Sequence, residues 1–359
     1  MYSRPTSSCH APSTIATRPA SSPAELRPPA LALIAALLCT LSFQESAHAG
    51  RDEPNSSGLR NTRTPLGTVD PREQRTMHLV GVQSRPDGTA RIVEVHGIFE
   101  DGAEVRIWEA TGARREARIP VRELVGLHFS ERHCPTTGPC METDYRIVDS
   151  RRDTKRNHLA VDRDNRDVWL FVVEFRSVGV HERARWKNVC RPASDGRRDG
   201  IFLGGRWRSD GAWIPDGYTF ACTDSAIAKC ARDWGYKPWQ SRPAPTGEMV
   251  HLRSLHLACV RAVRADYCGD GATHTRDGTL IDLFDSAGLV PARPSDDLVA
   301  EAVFDRHGAR RILRTRWPTT GEGAMPAPSC ARTPPSQGRA SLEPVIHVRS
   351  AVPPRIGLP

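Results

Sequence analysis

From residue 77 onward apolar and polar positions alternate with period two, the pattern of half-buried strands. MHLVGVQ at 77–83, ARIVEVHGIF at 90–99 and AEVRIWE at 103–109 are separated by Pro86-Asp87-Gly88 and Glu100-Asp101-Gly102, which predicts a three-stranded meander. More strands are expected at 121–129, 143–148, 157–162, 167–175, 184–190, 201–207 and 218–222. VWLFVVEF at 168–175 is the most apolar run after residue 49, as a central strand would be. The period then becomes helical. In 224–234, Ile227, Cys230, Ala231 and Trp234 share one face, with Thr223 or Asp224 as cap and Gly235 as stop. In 248–266, Leu252, Leu255, Cys259 and Val263 do the same. The prolines of the intervening YKPWQSRPAPTG forbid one continuous helix. A strand at 279–284 and a hairpin at 299–316, turning on Arg306-His307-Gly308, follow; the Pro-rich 319–359 reads as a disordered tail. The fold class expected is α+β. A β-rich part over 77–184, meander- or sandwich-like, is continued by an antiparallel helical hairpin and a C-terminal β-hairpin.

The first 76 residues read differently. LALIAALLCTLSF at 31–43 follows Arg4, Arg18 and Arg27 and precedes Ala47-His48-Ala49, which describes a signal peptide over 1–49. The apolar run is short of the roughly 20 residues a bilayer span needs, so no permanent transmembrane span is expected. A mean hydropathy of −0.47 excludes a multi-span protein. The polar stretch 50–76, with Pro54, Pro65 and Pro71, reads as a flexible linker. Export to periplasm, cell surface or medium is the expected location.

Export makes the cysteines disulfide candidates. Eight remain after cleavage: Cys134, Cys140, Cys190, Cys222, Cys230, Cys259, Cys268 and Cys330. Helical rise puts roughly 12–13 Å between Cys222 and Cys230, or between Cys259 and Cys268, too far for a bridge. Antiparallel helices would instead match Cys222 with Cys268 and Cys230 with Cys259, each link contributing roughly 3.5–4 kcal/mol in the loop-entropy picture. Cys134 and Cys140 flank PTTGP and suit a local bridge; Cys190 and Cys330 are left over. Structural zinc favours two- to four-residue gaps between paired cysteines, whereas these gaps are eight, 29 and nine.

Fifty basic against 42 acidic residues give +8. The arginines are spread along the whole chain beside Asp or Glu, without the stripe a nucleic-acid binder would show, so nucleic acid is not the expected partner. Such a charge would favour an anionic envelope polymer or membrane surface.

ACTDSAIAKCARDWGYKPW at 221–239 and HLACVRAVRADYCGDGATHTRDGTLIDLFD at 256–285 resemble the bacterial ADYC-domain proteins, named for Ala265-Asp266-Tyr267-Cys268. The resemblance is strong over 185–318, including Cys190 and Gly204-Gly205-Arg206-Trp207, and loose over 77–184. It implies an exported protein and no particular reaction.

Asp266, Asp270, His274, Asp277 and Asp282 crowd a loop with Gly269, Gly271 and Gly278. Three readings stand. Asp side chains can bond nearby backbone N–H groups in a structural loop. A calcium site is the one cofactor candidate, although Cys268 occupies a position where the EF-hand pattern needs oxygen. His274 with Asp266 or Asp270 could serve acid/base chemistry, which would make the protein a secreted hydrolase. A thiol nucleophile at Cys268 is excluded if that sulfur is bridged, and no GxSxG, HExxH or P-loop motif is present. Trp234, Tyr236 and Trp239 either close the helix pair against a sheet or form an exposed platform for a saccharide. The leading expectation is a non-catalytic envelope or extracellular binding or structural module. Its ligand-contact residues would come from Trp234, Tyr236, Trp239, Asp266, Asp270, His274 and Asp277.

Overall fold

The period-two alternation is realised as antiparallel sheet. The computed structural model describes residues 53–54, 77–133, 140–178, 185–193, 195–208, 211–321, 324–330 and 343–351. In chain order the strands are β1 (Glu53–Pro54), β2 (Val80–Ser84), β3 (Ala90–Ile98), β4 (Ala103–Glu109), β5 (Arg114–Ile119), β6 (Leu127–His133), β7 (Met141–Arg152), β8 (Trp169–Val178), β9 (Lys187–Asn188), β10 (Gly200–Trp207) and β11 (Trp213–Cys222). Helix α1 (Ala226–Arg232), the short pair β12 (Ser241–Pro243) and β13 (Met249–His251), and helix α2 (Leu252–Arg264) come next. Strands β14 (Leu280–Asp285), β15 (Leu298–Asp305), β16 (Gly308–Ile312) and β17 (Ile346–Ala351) complete the order.

Ten strands form one sheet in the order β11-β10-β8-β7-β6-β2-β3-β4-β5, with β9 added on β8. Its inward positions, among them Val93, Val105, Phe129, Tyr145 and Val173, share one apolar core. The sheet curls far enough for Met77, ahead of β2, to exchange two backbone hydrogen bonds of 2.7 Å with Tyr218 on β11. At the β8–β10–β11 end the opposite face is covered too. Leu170, Ile201, Leu203 and Ala221 join a second core with α1, α2 and Leu283, Phe304, Ile346 and Val348 of the other sheet. The 168–175 run is therefore buried on both sides, as its composition required: Phe171 and Val173 enter one core, Val168 and Leu170 the other.

The second sheet runs β1-β14-β17-β15-β16. Strand β17 comes from the stretch expected to be a disordered tail, yet it lies between β14 and β15 with Ile346 and Val348 buried. Its alternation of apolar Ile346 and Val348 with polar His347 and Arg349 is a strand pattern hidden by the prolines around it. Four other elements depart from expectation. The 157–162 segment is irregular, because His158 N–H and Ala160 N–H donate to Asp233 and Leu289 outside any ladder. Residues 121–124 form a 3-10 turn ahead of β6, and the charged RREARI of β5 is an edge strand. Helix α2 begins at Leu252, since 249–251 pair with β12 and His251 serves as its cap.

The cysteine pairing is partly revised. Cys230–Cys259 links the helices as expected, with Cα atoms 5.8 Å apart. The expected Cys222–Cys268 and Cys190–Cys330 pairs are replaced by Cys190–Cys222 and Cys268–Cys330, at Cα separations of 5.5 and 4.9 Å. Cys222 ends β11, and Cys190 follows β9, where both strands border the same core. Ala265 turns left-handed at the end of α2 and swings Cys268 off the helical face that carries Cys259. Cys140 is also disulfide-bonded, while its expected partner Cys134, like the expected signal peptide and all of the expected linker except 53–54, lies outside the described residues.

His256 lies fully buried at the α1–α2 contact. Its Nε2–H donates to the Ile227 carbonyl at 3.2 Å and its Nδ1 accepts from Trp207 Nε1 at 3.1 Å. Burial lowers its pKa from 6.5 to about 4. Between those values the unfolded chain takes up a proton that the folded chain refuses, so stability falls as pH drops through this window. The expected loss is about 1.4 kcal/mol per pH unit and about 3 kcal/mol in all. Urea unfolding from pH 7 to 4 measures it, and His256→Gln should flatten that slope although the variant is less stable at pH 7.

Candidate functional site

Helix α2 ends inside the protein, with Arg264 and Ala265 buried. A buried helix end needs partners for its last carbonyls. Ala265 takes the left-handed conformation (φ 51°, ψ 41°), and its N–H and that of Asp266 return to the Arg261 carbonyl. Glycine is the usual residue in this kind of turn. Thr273 Oγ1 donates to the Arg264 carbonyl at 2.9 Å, and His274 Nδ1–H to the Ala265 carbonyl at 3.2 Å. Asp266 accepts from Arg261 Nη1 at 2.7 Å and from Gly271 N–H at 3.1 Å, which folds the Asp/Gly loop back over the helix end. Gly269 sits at φ +68°, and a Cβ there would lie 1.8 Å from the His307 carbonyl oxygen, so the loop and the β15–β16 turn touch through backbone.

The remaining carbonyls are held by a buried ion pair. Arg316 and Glu301 are both fully buried. Arg316 Nε and Nη2 donate to Glu301 at 2.8 and 2.9 Å. Nη1 donates to the Val263 carbonyl (2.8 Å) and Thr275 Oγ1 (3.1 Å), and Nη2 to the Ala262 carbonyl (2.7 Å). All five guanidinium donors are thus placed. The cation also sits at the negative end of the α2 dipole. Tyr267 OH donates to Glu301 at 3.0 Å and accepts from the Arg316 backbone N–H at 2.7 Å, while the Tyr267 carbonyl accepts from Ala309 N–H at 2.8 Å. Burial and the Glu301 charge raise the Tyr267 phenol above its ordinary pKa, so it remains a donor. Cys268 then fixes the loop to Cys330.

A second polar cluster closes the end of α1. Ser225 caps that helix through its Oγ, and Gly235, at φ +81° with a Cβ position 2.6 Å from Leu159, stops it. Trp234 and Tyr236 are fully buried. Tyr236 OH donates to Asp285 at 2.9 Å. Lys237, also buried, pairs with Asp167, which accepts in addition from Trp239 Nε1 at 2.8 Å and Gln240 Nε2 at 2.5 Å. Asp153 and Asn165, on either side of the irregular 157–162 segment, hold Arg232.

Residues 127–318, more than half of the chain, match the sequence model of the ADYC domain. This chain is an ADYC-domain protein. Searches of the curated proteins and of the solved structures found no match. The matched part of the ADYC domain begins with β6, inside the ten-stranded sheet, and stops before β17.

In the ADYC domain the nominated residues separate into two groups. Trp234 and Tyr236 are core side chains, which removes them from any surface platform, and Trp239 is 41% exposed. Asp266 and His274 are both buried in the α2 cap, each committed to a different partner. Burial raises the Asp266 carboxyl above the ordinary range even with Arg261 and Arg264 nearby. Asp270 is exposed and bonds Ala272 N–H at 2.9 Å in a local turn; Asp277 is exposed as well. Asp282, buried, pairs with Arg349 of β17. Among the described residues no three His, Cys, Asp or Glu converge as a metal site, and no helix is long and apolar enough to cross a membrane. Sequence reasoning missed Glu301 and Arg316. Strand parity could not have signalled Glu301, which alternates with the core positions Leu298, Ala302 and Phe304 and is buried at the register shift between Ala300 and Ala302.

Proposed function

We propose that this ADYC-domain protein is exported and acts as a non-catalytic binding or structural module, with the tetrapeptide as the lock that joins α2 to the second sheet. The supporting observation is that the Asp266 carboxylate, the Tyr267 hydroxyl and the Cys268 sulfur are all engaged by groups of the same chain. An acid/base pair would need a carboxylate and an imidazole aimed at a common reacting atom. Here Asp266 and His274 serve the backbone of one helix end. The three disulfides among the described residues suit an oxidising compartment. No cofactor is required, and calcium at the Asp/Gly loop would have to compete with Arg261 for Asp266. Of the nominated contact residues, Trp239, Asp270 and Asp277 face solvent, so a saccharide or anionic envelope polymer would meet the protein there.

Cell fractionation locates the protein. Calorimetric titration of the oxidised protein with calcium and with an acidic polysaccharide, beside esterase, peptidase and glycosidase assays, tests the rest. Turnover is expected to match that of Asp270→Asn/His274→Ala. Turnover that this double variant abolishes would establish the hydrolase instead.

A further inference from the structure

Strand β17 sits in the middle of the second sheet, yet it comes from outside the ADYC match, which stops at residue 318. Its two neighbours, β14 and β15, pair with it and not with each other. The ladder runs from Ile346 to Ser350 against β14 and from Ile346 to Ala351 against β15. Ile346 and Val348 enter the core shared with α1 and α2, and Ser350 is fully buried as well.

Both walls of this slot are held by other parts of the domain. On β14, Asp285 accepts from Tyr236 OH at 2.9 Å, and Ile281 and Leu283 pack in the core that contains α2. On β15, Glu301 is the extra residue where the register against β17 shifts, between Ala300 and Ala302. Its carboxylate serves Arg316 and Tyr267, so the lock to α2 is complete without β17. Side-chain contacts then add selection to the ladder. Arg314 Nη2 donates to the Ser350 carbonyl and, at 2.8 Å, to Ser350 Oγ. Asp282 accepts from Arg349, and His347 stacks on Phe284 with ring centroids 5.0 Å apart. Backbone pairing on a sheet gives a bound strand its affinity, and alternate side-chain positions give it specificity.

We propose that the slot between β14 and β15 is a peptide-binding site, and that β17 is its tethered occupant. The ligand class is an extended segment with branched aliphatic residues two positions apart, then a basic residue and a serine, as in Ile346-His347-Val348-Arg349-Ser350. A strand of this pattern meets walls that are already anchored, so they lose little freedom when it binds. Cys330, bonded to Cys268, ties down the arm that leads into β17. Such a tether keeps β17 at a high effective concentration over the slot, and an outside strand binds only by displacing it. None of the slot residues is Trp239, Asp270 or Asp277, so the site stands whether or not those residues meet a saccharide.

Fluorescence anisotropy with a labelled peptide of residues 343–353 tests this. The oxidised full-length Ile346→Asp/Val348→Asp variant, its own strand disabled, should bind the peptide saturably at micromolar concentration. Wild type should bind at least about tenfold more weakly, because β17 competes. The same peptide carrying both aspartates should not bind. Near-ultraviolet circular dichroism and an unchanged disulfide map show whether the variant folds. If it does not, wild type with a protease site inserted between residues 336 and 337 takes its place. Once cut, its C-terminal fragment should exchange with the labelled peptide while the near-ultraviolet signal persists. A folded variant blind to the peptide, equal binding of the aspartate peptide, or a cut protein that unfolds or releases its fragment only on global unfolding would overturn the proposal. Strand β17 would then be an ordinary core strand.

Discussion

Replacing Arg316 with methionine is expected to cost about 3–5 kcal/mol of unfolding free energy. The loss comes chiefly from what stays behind. Glu301 is fully buried, and without Arg316 its carboxylate keeps, among the described residues, the Tyr267 hydroxyl as its side-chain hydrogen-bond partner. The Ala262 and Val263 carbonyls at the end of α2 lose their guanidinium donors in the same step. Removing both charges, as Arg316→Met/Glu301→Leu, should be less damaging than the sum of the single losses, because no uncompensated charge remains. Urea unfolding followed by near-ultraviolet circular dichroism, with disulfides intact, measures all three variants. A single-variant loss below about 1 kcal/mol would show that the pair is hydrated rather than buried.

The same network shows where local sequence patterns stop being informative. Strand alternation located β3, β4, β8, β10 and β14 because each presents an apolar face to one core, or to two, and it located β2 through Met77 and Leu79 just ahead of it. The helix spacing of Ile227, Cys230 and Trp234, with Gly235 after them, located α1 for the same reason. What escaped is what depends on distant partners. Glu301 and Arg316 are 15 residues apart and meet at the base of the β15–β16 hairpin, where the α2 carbonyls that complete the network come from more than 50 residues away. Nothing distinguishes Arg316 locally from the many arginines that pair at the surface. Strand β17 escaped because the prolines flanking it dominate composition, while its place between β14 and β15 is a long-range choice. The Asp/Gly loop was legible as chemistry but not as purpose. Its polar groups answer the unsatisfied carbonyls of a buried helix end, a demand that exists only once Ala265 is buried.

The disulfide revision leads to the second large effect. Cys268→Ser/Cys330→Ser opens a link between residues 62 apart in sequence and should destabilise the oxidised protein by about 4 kcal/mol in the loop-entropy picture. The size follows from the long loop, which holds β14, β15 and β16 and therefore most of the second sheet. This variant also separates the two pairing schemes. If Cys222 were bonded to Cys268 and Cys190 to Cys330, the double variant would free two alkylatable thiols, at Cys222 and Cys190. With Cys222 on Cys190, no thiol appears there, and non-reducing peptide maps of wild type and variant should share the Cys190–Cys222 and Cys230–Cys259 peptides. Accessibility adds a kinetic consequence. Cys330 is exposed and Cys268 half-buried, whereas Cys190, Cys222, Cys230 and Cys259 are at most 1% exposed. Thiol–disulfide exchange needs in-line access to a sulfur, so graded reduction under native conditions should open Cys268–Cys330 well before either buried bridge. Simultaneous release of all three would mean that opening proceeds through global unfolding, and the surface position of this link would then have no bearing on its chemistry.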